Sequence, residues 1–217
     1  MHKPFRQRAG PDRQAALAQY RRRASVYDLE LALFEPVRRS AVSWLGLAAG
    51  DSVLDVGCGT GLSFELLRAA VGPRGRIVGI EQSPEMIERA RRRVRQQGWR
   101  NVSLLNAPVE DARIKDKADA ALFHFTHDIL QRDDALRHVL QHLRPGASVV
   151  ASGLKWAPLW AAPLNLLVLP AALRSVSSLA GLDQPWHRLD RLIGPLQTRS
   201  LLAGTVYMVH GRRPAQP

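Results

Sequence analysis

The sequence is poor in cysteine, having Cys58 alone among 217 residues. No internal disulfide can form, so the fold rests on its core. Acids are scarce beside bases, with 19 Asp and Glu against 31 Lys and Arg and a net charge of +12. That excess draws polyanions, either nucleic acid or an anionic membrane surface, or serves solubility alone. Aromatic residues make up 6% of the chain, and none interleaves with the cluster Arg89, Arg91, Arg92, Arg93 and Arg95 before Trp99. The cluster therefore reads as a solvated helix face rather than a nucleic-acid platform. The first ten residues hold no apolar run, so they do not read as a secretory signal, and a cytoplasmic setting is the simplest expectation. Trp156 to Leu173 carries no charge, but Pro158, Pro163 and Pro170 break it and Asn165 interrupts it. Such a run does not suit a transmembrane helix.

What is present points to one globular unit. The length suits a single full-sized core, and 46% apolar and 23% charged residues are ordinary for a soluble protein. The chain centres on Val53 to Ser63, Val-Leu-Asp-Val-Gly-Cys-Gly-Thr-Gly-Leu-Ser. β-prone residues surround Asp55, then Gly57, Gly59 and Gly61 follow at alternate positions. This is a buried strand entering a turn of bare backbone, where a missing Cβ lets a ligand come close. Leu62, Phe64, Leu66 and Leu67 then read as a helix, whose N-terminal N–H groups favour an anionic group. The dinucleotide fingerprint GxGxxG needs a third glycine where this chain has Leu62. A second strand, Ile77 to Ile80, ends in Glu81, twenty residues after Gly61. An acid there can accept both hydroxyls of a ribose.

Strand, GxGxG loop, helix, strand and acid in that order resemble the class I S-adenosylmethionine-dependent methyltransferases, in particular the quinone- and lipid-methylating "type 11" group. The resemblance implies a Rossmann-like α/β fold: a seven-stranded, mostly parallel sheet with helices on both faces, closed by an antiparallel hairpin. It implies S-adenosylmethionine as cofactor, with S-adenosylhomocysteine as product; some relatives also hold a metal, but one His-x-x-His-Asp run at His124 to Asp128 without a further acid cluster does not read as a metal site. Asp55, Gly57, Cys58, Gly59 and Gly61 would pass under the methionine part, and Glu81 with Gln82 would hold the ribose. Many members place an adenine-binding acid where this chain has Pro108. Here the contact would move to the Val109 backbone or the Glu110 carboxylate. Ala118 to Phe123 resembles the family's fourth strand, putting Phe123 beside the cofactor, and Arg144-Pro145-Gly146 resembles its turn into strand five.

In chain order, residues 1–46 read as a basic arm and a helical cover, 47–153 as the cofactor-binding core, 154–195 as a lid or insert, and 196–211 as the closing hairpin. Helices are expected from Arg13 to Ala24, around Leu29 to Phe34, and from Pro36 through Val37, Ala41, Trp44 and Leu45. Ser83 and Pro84 suit the N-cap and first position of another, and the helix after strand four is expected from Ala135 to Leu143, with strand five from Ser148 to Gly153. Tyr20, Tyr27, Trp156 and Trp160 are candidates for the acceptor pocket; packing is the competing role for the tyrosines.

Ligands of an open α/β sheet sit at the carboxyl ends of its strands. His124-Phe125-Thr126-His127-Asp128 follows strand four, so His127, Asp128 and His124 are the candidates for proton transfer, with Asp128 as orienter. The expected reaction is in-line methyl transfer to a small apolar or amphipathic acceptor: a quinone, an aromatic natural product or a lipid amine. Two other readings stand beside it, an RNA methyltransferase and a cofactor-binding scaffold without turnover. The Asn/Asp-Pro-Pro-aromatic motif of base-amino methylases is replaced here by His124-Phe125-Thr126-His127, which disfavours that subclass and leaves other RNA methylases open. Peripheral contact with an anionic membrane is the other partner expectation. The oligomeric state is not encoded in any motif.

Overall fold

The computed structural model describes residues 34–166, 168–169, 179 and 181–215. The helices expected over Arg13 to Ala24 and from Leu29 lie outside the described residues, apart from Phe34.

Seven strands form one sheet in the order β3-β2-β1-β4-β5-β7-β6. They are β1 (Ser52–Val56), β2 (Arg76–Glu81), β3 (Val102–Asn106), β4 (Ala118–His124), β5 (Leu143–Leu154), β6 (Gln197–Leu201) and β7 (Val206–Arg212). β1 pairs in parallel with β2 and β4, β2 with β3, and β4 with β5; β7 is antiparallel to both β5 and β6. This is the expected architecture. β1 is buried along its whole length because it lies inside a parallel sheet covered on both faces.

The period of two explains the layers. Val53 faces one core and Leu54 and Val56 the other; Ala120 and Leu122 go with Val53, Ala121 and Phe123 with Leu54. The Val53 side is covered by α1 (Glu35–Trp44), α2 (Phe64–Val71) and α3 (Pro84–Gln96), through Ala41, Leu67 and Ile87 among others. The Leu54 side is covered by α5 (Asp133–Gln141) and α6 (His187–Ile193), through Leu136, Val139 and Leu189. A short α4 (His127–Leu130) precedes α5. Ser83 caps α3 as expected, its Oγ accepting from the Met86 N–H at 3.3 Å.

Two boundaries differ from expectation. The helix after strand four starts at Asp133, preceded by α4, and stops at Gln141. Strand five begins at Leu143 rather than Ser148. Leu143 already pairs with Ala118 and Ser148 pairs with Ala120, so Arg144-Pro145-Gly146 bulges out between two paired positions. Burial of Leu143 and the Ala118 N–H bond to His142 O (2.8 Å) fix this early pairing.

Chain order reverses between β1 and β4, and the loops leaving these strands meet at the crevice so formed. A Cβ on Gly57 would stand 2.6 Å from Thr126 Cγ2 and 2.9 Å from Ile129 Cδ1, and Gly57 has φ +71°. Gly57→Ala is therefore expected to cost about 2–4 kcal/mol in urea unfolding, combining backbone strain with overpacking. Adding Thr126→Ser, which removes Cγ2, should recover part of that loss. No recovery would mean that the two loops are not pressed together here.

Candidate active site

The glycine loop is held by its neighbours. Gly57 and Cys58 N–H both donate to Ile80 O (2.8 and 3.0 Å), and Gly61 N–H donates to Cys58 O (2.9 Å). Gly57, Gly59 and Gly61 all have positive φ, which is why none of them carries a side chain. From α3, Arg93 Nε donates to Thr60 O at 3.1 Å. One member of the solvated arginine cluster thus braces the loop.

Glu81 ends β2 beside this loop. Its Oε2 accepts from Gly59 N–H (3.1 Å) and its Oε1 from Ser83 N–H (2.7 Å). Burial pushes its carboxyl up, opposed by the backbone N–H groups of Ser83, Gly59 and Gln82. Each oxygen has a second lone pair, so the carboxylate can still accept two hydroxyls. Glu81→Ala should weaken S-adenosylhomocysteine binding about 10- to 150-fold by calorimetric titration. Unchanged affinity would remove Glu81 from the cofactor site.

Asp55, at the heart of β1, is 2% exposed, and its Oδ2 has no hydrogen-bond partner. Burial pushes its carboxyl up to about 7; the Arg38 guanidinium pulls it down and the Glu81 charge pushes it further up. Arg38 comes from α1, is itself 2% exposed, and pairs through Nη1 with Glu35. Its Nε and Nη2 have no partner. A small cavity of about 20 Å³, open to solvent, is lined by Arg38, Asp55 and His124 and by Gly57 to Thr60, Leu62 and Ser63 of the loop. Cys58 is buried there, and burial together with the Asp55 and Glu81 charges holds its thiol protonated.

The residues after β4 divide. His124 lines the cavity, with Nδ1 2.8 Å from Ser152 Oγ and Nε2 buried without a partner. Burial, with the Arg38 charge behind it, lowers its imidazole to about 3. His124 is therefore neutral at pH 7 and too weakly basic to keep a proton. Phe125 has φ +57°, which strains a non-glycine backbone, and its N–H donates to Ser152 O at 2.7 Å. His127 is buried at the start of α4 and Asp128 half-buried beside it.

Other candidates fare differently. Phe123 has no exposed surface and packs in the core on the Leu54 side, so it offers a cofactor nothing in this structure. The Glu110 carboxylate is bound by Arg132 at 2.8 Å. That charge partner competes with any adenine contact there; Val109 is buried in the 3₁₀ turn Val109–Asp111, next to half-buried Pro108. Gln82 is half-buried after Glu81. Trp156 is half-buried, and its backbone N–H donates to Leu182 O at 3.0 Å. Trp160 is 76% exposed and does not line the cavity. Tyr20 and Tyr27 lie outside the described residues. Sequence reasoning missed Arg38, although its signal was present: positions 38, 41, 42 and 45 form one apolar helical stripe with an arginine in it.

Fold, loop and acid together are similar to those of the class I S-adenosylmethionine-dependent methyltransferases. Residues 53–146 match the family model described as "Methyltransferase domain". The chain is 39% identical over 83 residues to aklanonic acid methyltransferase DauC of a Streptomyces species, covering 38% of each chain. It is 31% identical over 136 residues to the 2-phytyl-1,4-naphtoquinone methyltransferase of Synechococcus elongatus, covering 57% of each. The chain thus spans well under two thirds of these curated relatives. In fold it is similar to the N-methyltransferase NodS of Bradyrhizobium japonicum in complex with S-adenosylhomocysteine, with a TM-score of 0.58 at 17% identity, covering 84% of this chain and 88% of that one.

The cofactor of this family is S-adenosylmethionine, and the residues present fit it. The loop carries no side chain at Gly57, Gly59 or Gly61, and buried polar atoms of Arg38, Asp55 and His124 stand unpartnered around it. Among the described residues no group of three or more His, Cys, Asp or Glu could hold a metal, and no helix is long and apolar enough to cross a membrane.

Proposed function

We propose that this chain transfers a methyl group from S-adenosylmethionine to a small, apolar or amphipathic acceptor such as a quinone, an aromatic natural product or a lipid amine. The observation that carries the reading is the glycine loop at the crevice between β1 and β4, with Glu81 accepting from the Gly59 N–H and His124 lining the cavity beside the loop. The cofactor supplies a methyl group on a sulfonium, ready for in-line displacement by a nucleophile about 3 Å away. The loop and Glu81 would hold it. A hydroxyl or ammonium acceptor must also lose a proton, and His127 is assigned as the base, oriented by Asp128. His124 is set aside for that role by its weak basicity; its buried Nε2 suits a hydrogen bond that aims the acceptor.

The acceptor class draws on two supports. Relatives carry the names of a naphthoquinone and of aklanonic acid methyltransferase. Beyond the C-terminal end of β5, Leu159, Trp160 and Leu166 are 95%, 76% and 77% exposed. Exposed apolar side chains clustered in one short segment mark a surface that meets apolar matter. Here that means the acceptor itself or the membrane holding it. Turnover tests the reading: the protein is incubated with methyl-deuterated cofactor and a panel of quinols, phenols, lipid amines and RNA. A mass gain on a small acceptor supports it. Labelled RNA alone would favour the RNA methyltransferase. Tight cofactor binding with no product on a wide panel would favour the scaffold.

A further inference from the structure

A second cavity, of about 460 Å³, opens between the end of α4 and α6. That volume falls in the range of small-molecule pockets. Among the described residues no apolar side chain lines it; Gln131, Asp183, His187, Arg188 and Arg191 do, with bare backbone at Gly181. Hydrogen bonds fix its place. Gln131 Nε2 donates to Pro185 O at 3.1 Å, and the Trp156 N–H, just past β5, donates to Leu182 O at 3.0 Å. The cavity therefore sits where β4 and β5 end, as ligands of an open α/β sheet do. Only α4 stands between it and the glycine loop. Ile129 of α4 lies against Gly57, and Gln131 lies one helical turn, about 6 Å, beyond His127.

Arg188 and Arg191 are arranged in advance. They lie three residues apart on α6, so they share a face. Asp133, the first residue of α5, bridges them: its Oδ1 is 2.9 Å from Arg188 Nη1 and its Oδ2 3.5 Å from Arg191 Nη2. The Arg188 hydrogen bond, with the Arg191 and Arg137 charges behind it, holds the Asp133 carboxyl below its ordinary value. Asp133 thus offsets the repulsion of two close guanidiniums. It occupies one nitrogen of each, and a guanidinium has five N–H donors. Three arginines face two acids here, Asp133 and Asp183, and Asp183 is exposed to water that screens it. The balance favours an oxyanion in the cavity.

We propose that this cavity binds an acidic group, a carboxylate or a phosphate, on the methyl acceptor, through Arg188 and Arg191 with His187 as a further donor. The proposal deepens the small-acceptor reading and rests on it. The acceptor is then amphipathic and anionic, with its acid held one turn of α4 from His127. Free phosphate offers the arginines the same chemistry, and the experiment separates the two sources.

The test is isothermal titration, with S-adenosylhomocysteine present, of wild type and the double variant Arg188→Gln, Arg191→Gln. The probes are 3-hydroxy-2-naphthoate, 2-naphthol, which keeps the ring and lacks the acid, and inorganic phosphate. Wild type is expected to bind the naphthoate about 5- to 30-fold more tightly than the naphthol, a margin discounted for the partial exposure of both arginines. The double variant should lose that margin while its affinity for the naphthol changes less than about twofold. Arg188→Lys with Arg191→Lys, which keeps the charge without the fork, should fall between, and it takes the place of the Gln pair if that does not fold. Arg92→Gln with Arg100→Gln removes the same charge from exposed sites elsewhere and should change nothing. An equal loss in that control would mean net charge alone and overturn the proposal. Equal affinity of wild type for both ring probes, or binding of neither, would overturn it too. Phosphate bound as tightly as the naphthoate, and lost in the same variant, would overturn the acceptor as the source and assign the cavity to a free anion. Naphthoate bound as expected, with no methyl transfer to any small acceptor, would count against the small-acceptor reading while still supporting the acid site.

Discussion

Asp55→Asn should make the protein more stable than wild type at pH 8 and equally stable below about pH 4. The Asp55 carboxyl stands near 7 in the fold, raised first by burial, while an unfolded aspartate titrates at its ordinary value of 3.8. Between these values the unfolded chain gives up a proton that the fold keeps, so stability falls as pH rises and the loss is complete above about 7. Three units correspond to about 4 kcal/mol, or roughly 10 °C in Tm for a chain of this size. Asparagine has no charge to desolvate and escapes the loss. The titratable groups facing Asp55 are Arg38, Glu81 and the protonated Cys58 thiol; of these Arg38 opposes the effect and Glu81 adds to it. Thermal melts of both proteins from pH 4 to 9 provide the measurement, with the gap opening between pH 4 and 7. Parallel curves across that window would show that Asp55 is ionised in the fold at little cost, and that Arg38 compensates burial more fully than the geometry suggests. The variant should also bind S-adenosylhomocysteine less well, since Asp55 lines the cavity beside the glycine loop. Stability and affinity then move in opposite directions, as they do where a fold carries strain for a ligand.

His127→Ala is expected to lower kcat about 10²- to 10⁴-fold on a hydroxyl or ammonium acceptor, the usual range for a general base. The Kd for S-adenosylhomocysteine should stay within about twofold, because the cavity beside the glycine loop is lined by His124 and not by His127. His124→Gln is the informative companion. Its imidazole is neutral throughout the working range, so its loss should leave the pH dependence of kcat in place and act on KM for the acceptor. Near-full turnover by His127→Ala would mean that positioning alone drives the transfer, as suffices for an amine that arrives neutral. A change confined to cofactor Kd would place His127 among the binding groups instead.

The sequence by itself determined the parts whose physics is local. Alternating β-prone residues, three glycines that must take positive φ, the acid closing β2 and the Ser83-Pro84 cap are each readable within a few positions. Their order defines the crevice between β1 and β4. The tertiary structure decided which side chains stay free to act once distant partners have competed for them. Glu110 reads as an adenine contact until Arg132 from the segment before α5 takes its carboxylate. Phe123 reads as a pocket wall until the helices close over the Leu54 side of the sheet. His124 and His127 look alike in sequence, but β4 carries the first next to Arg38, where desolvation of its ring and the guanidinium charge take its basicity away. Arg38 reads as one more positive charge in a chain with a net charge of +12. Packing α1 on the sheet removed it from water and left two of its nitrogens beside Asp55 with nothing to hold. Desolvation and pairing are sums over residues far apart in the chain, so a local pattern can place Arg38 on a buried helical stripe but cannot report what it faces there.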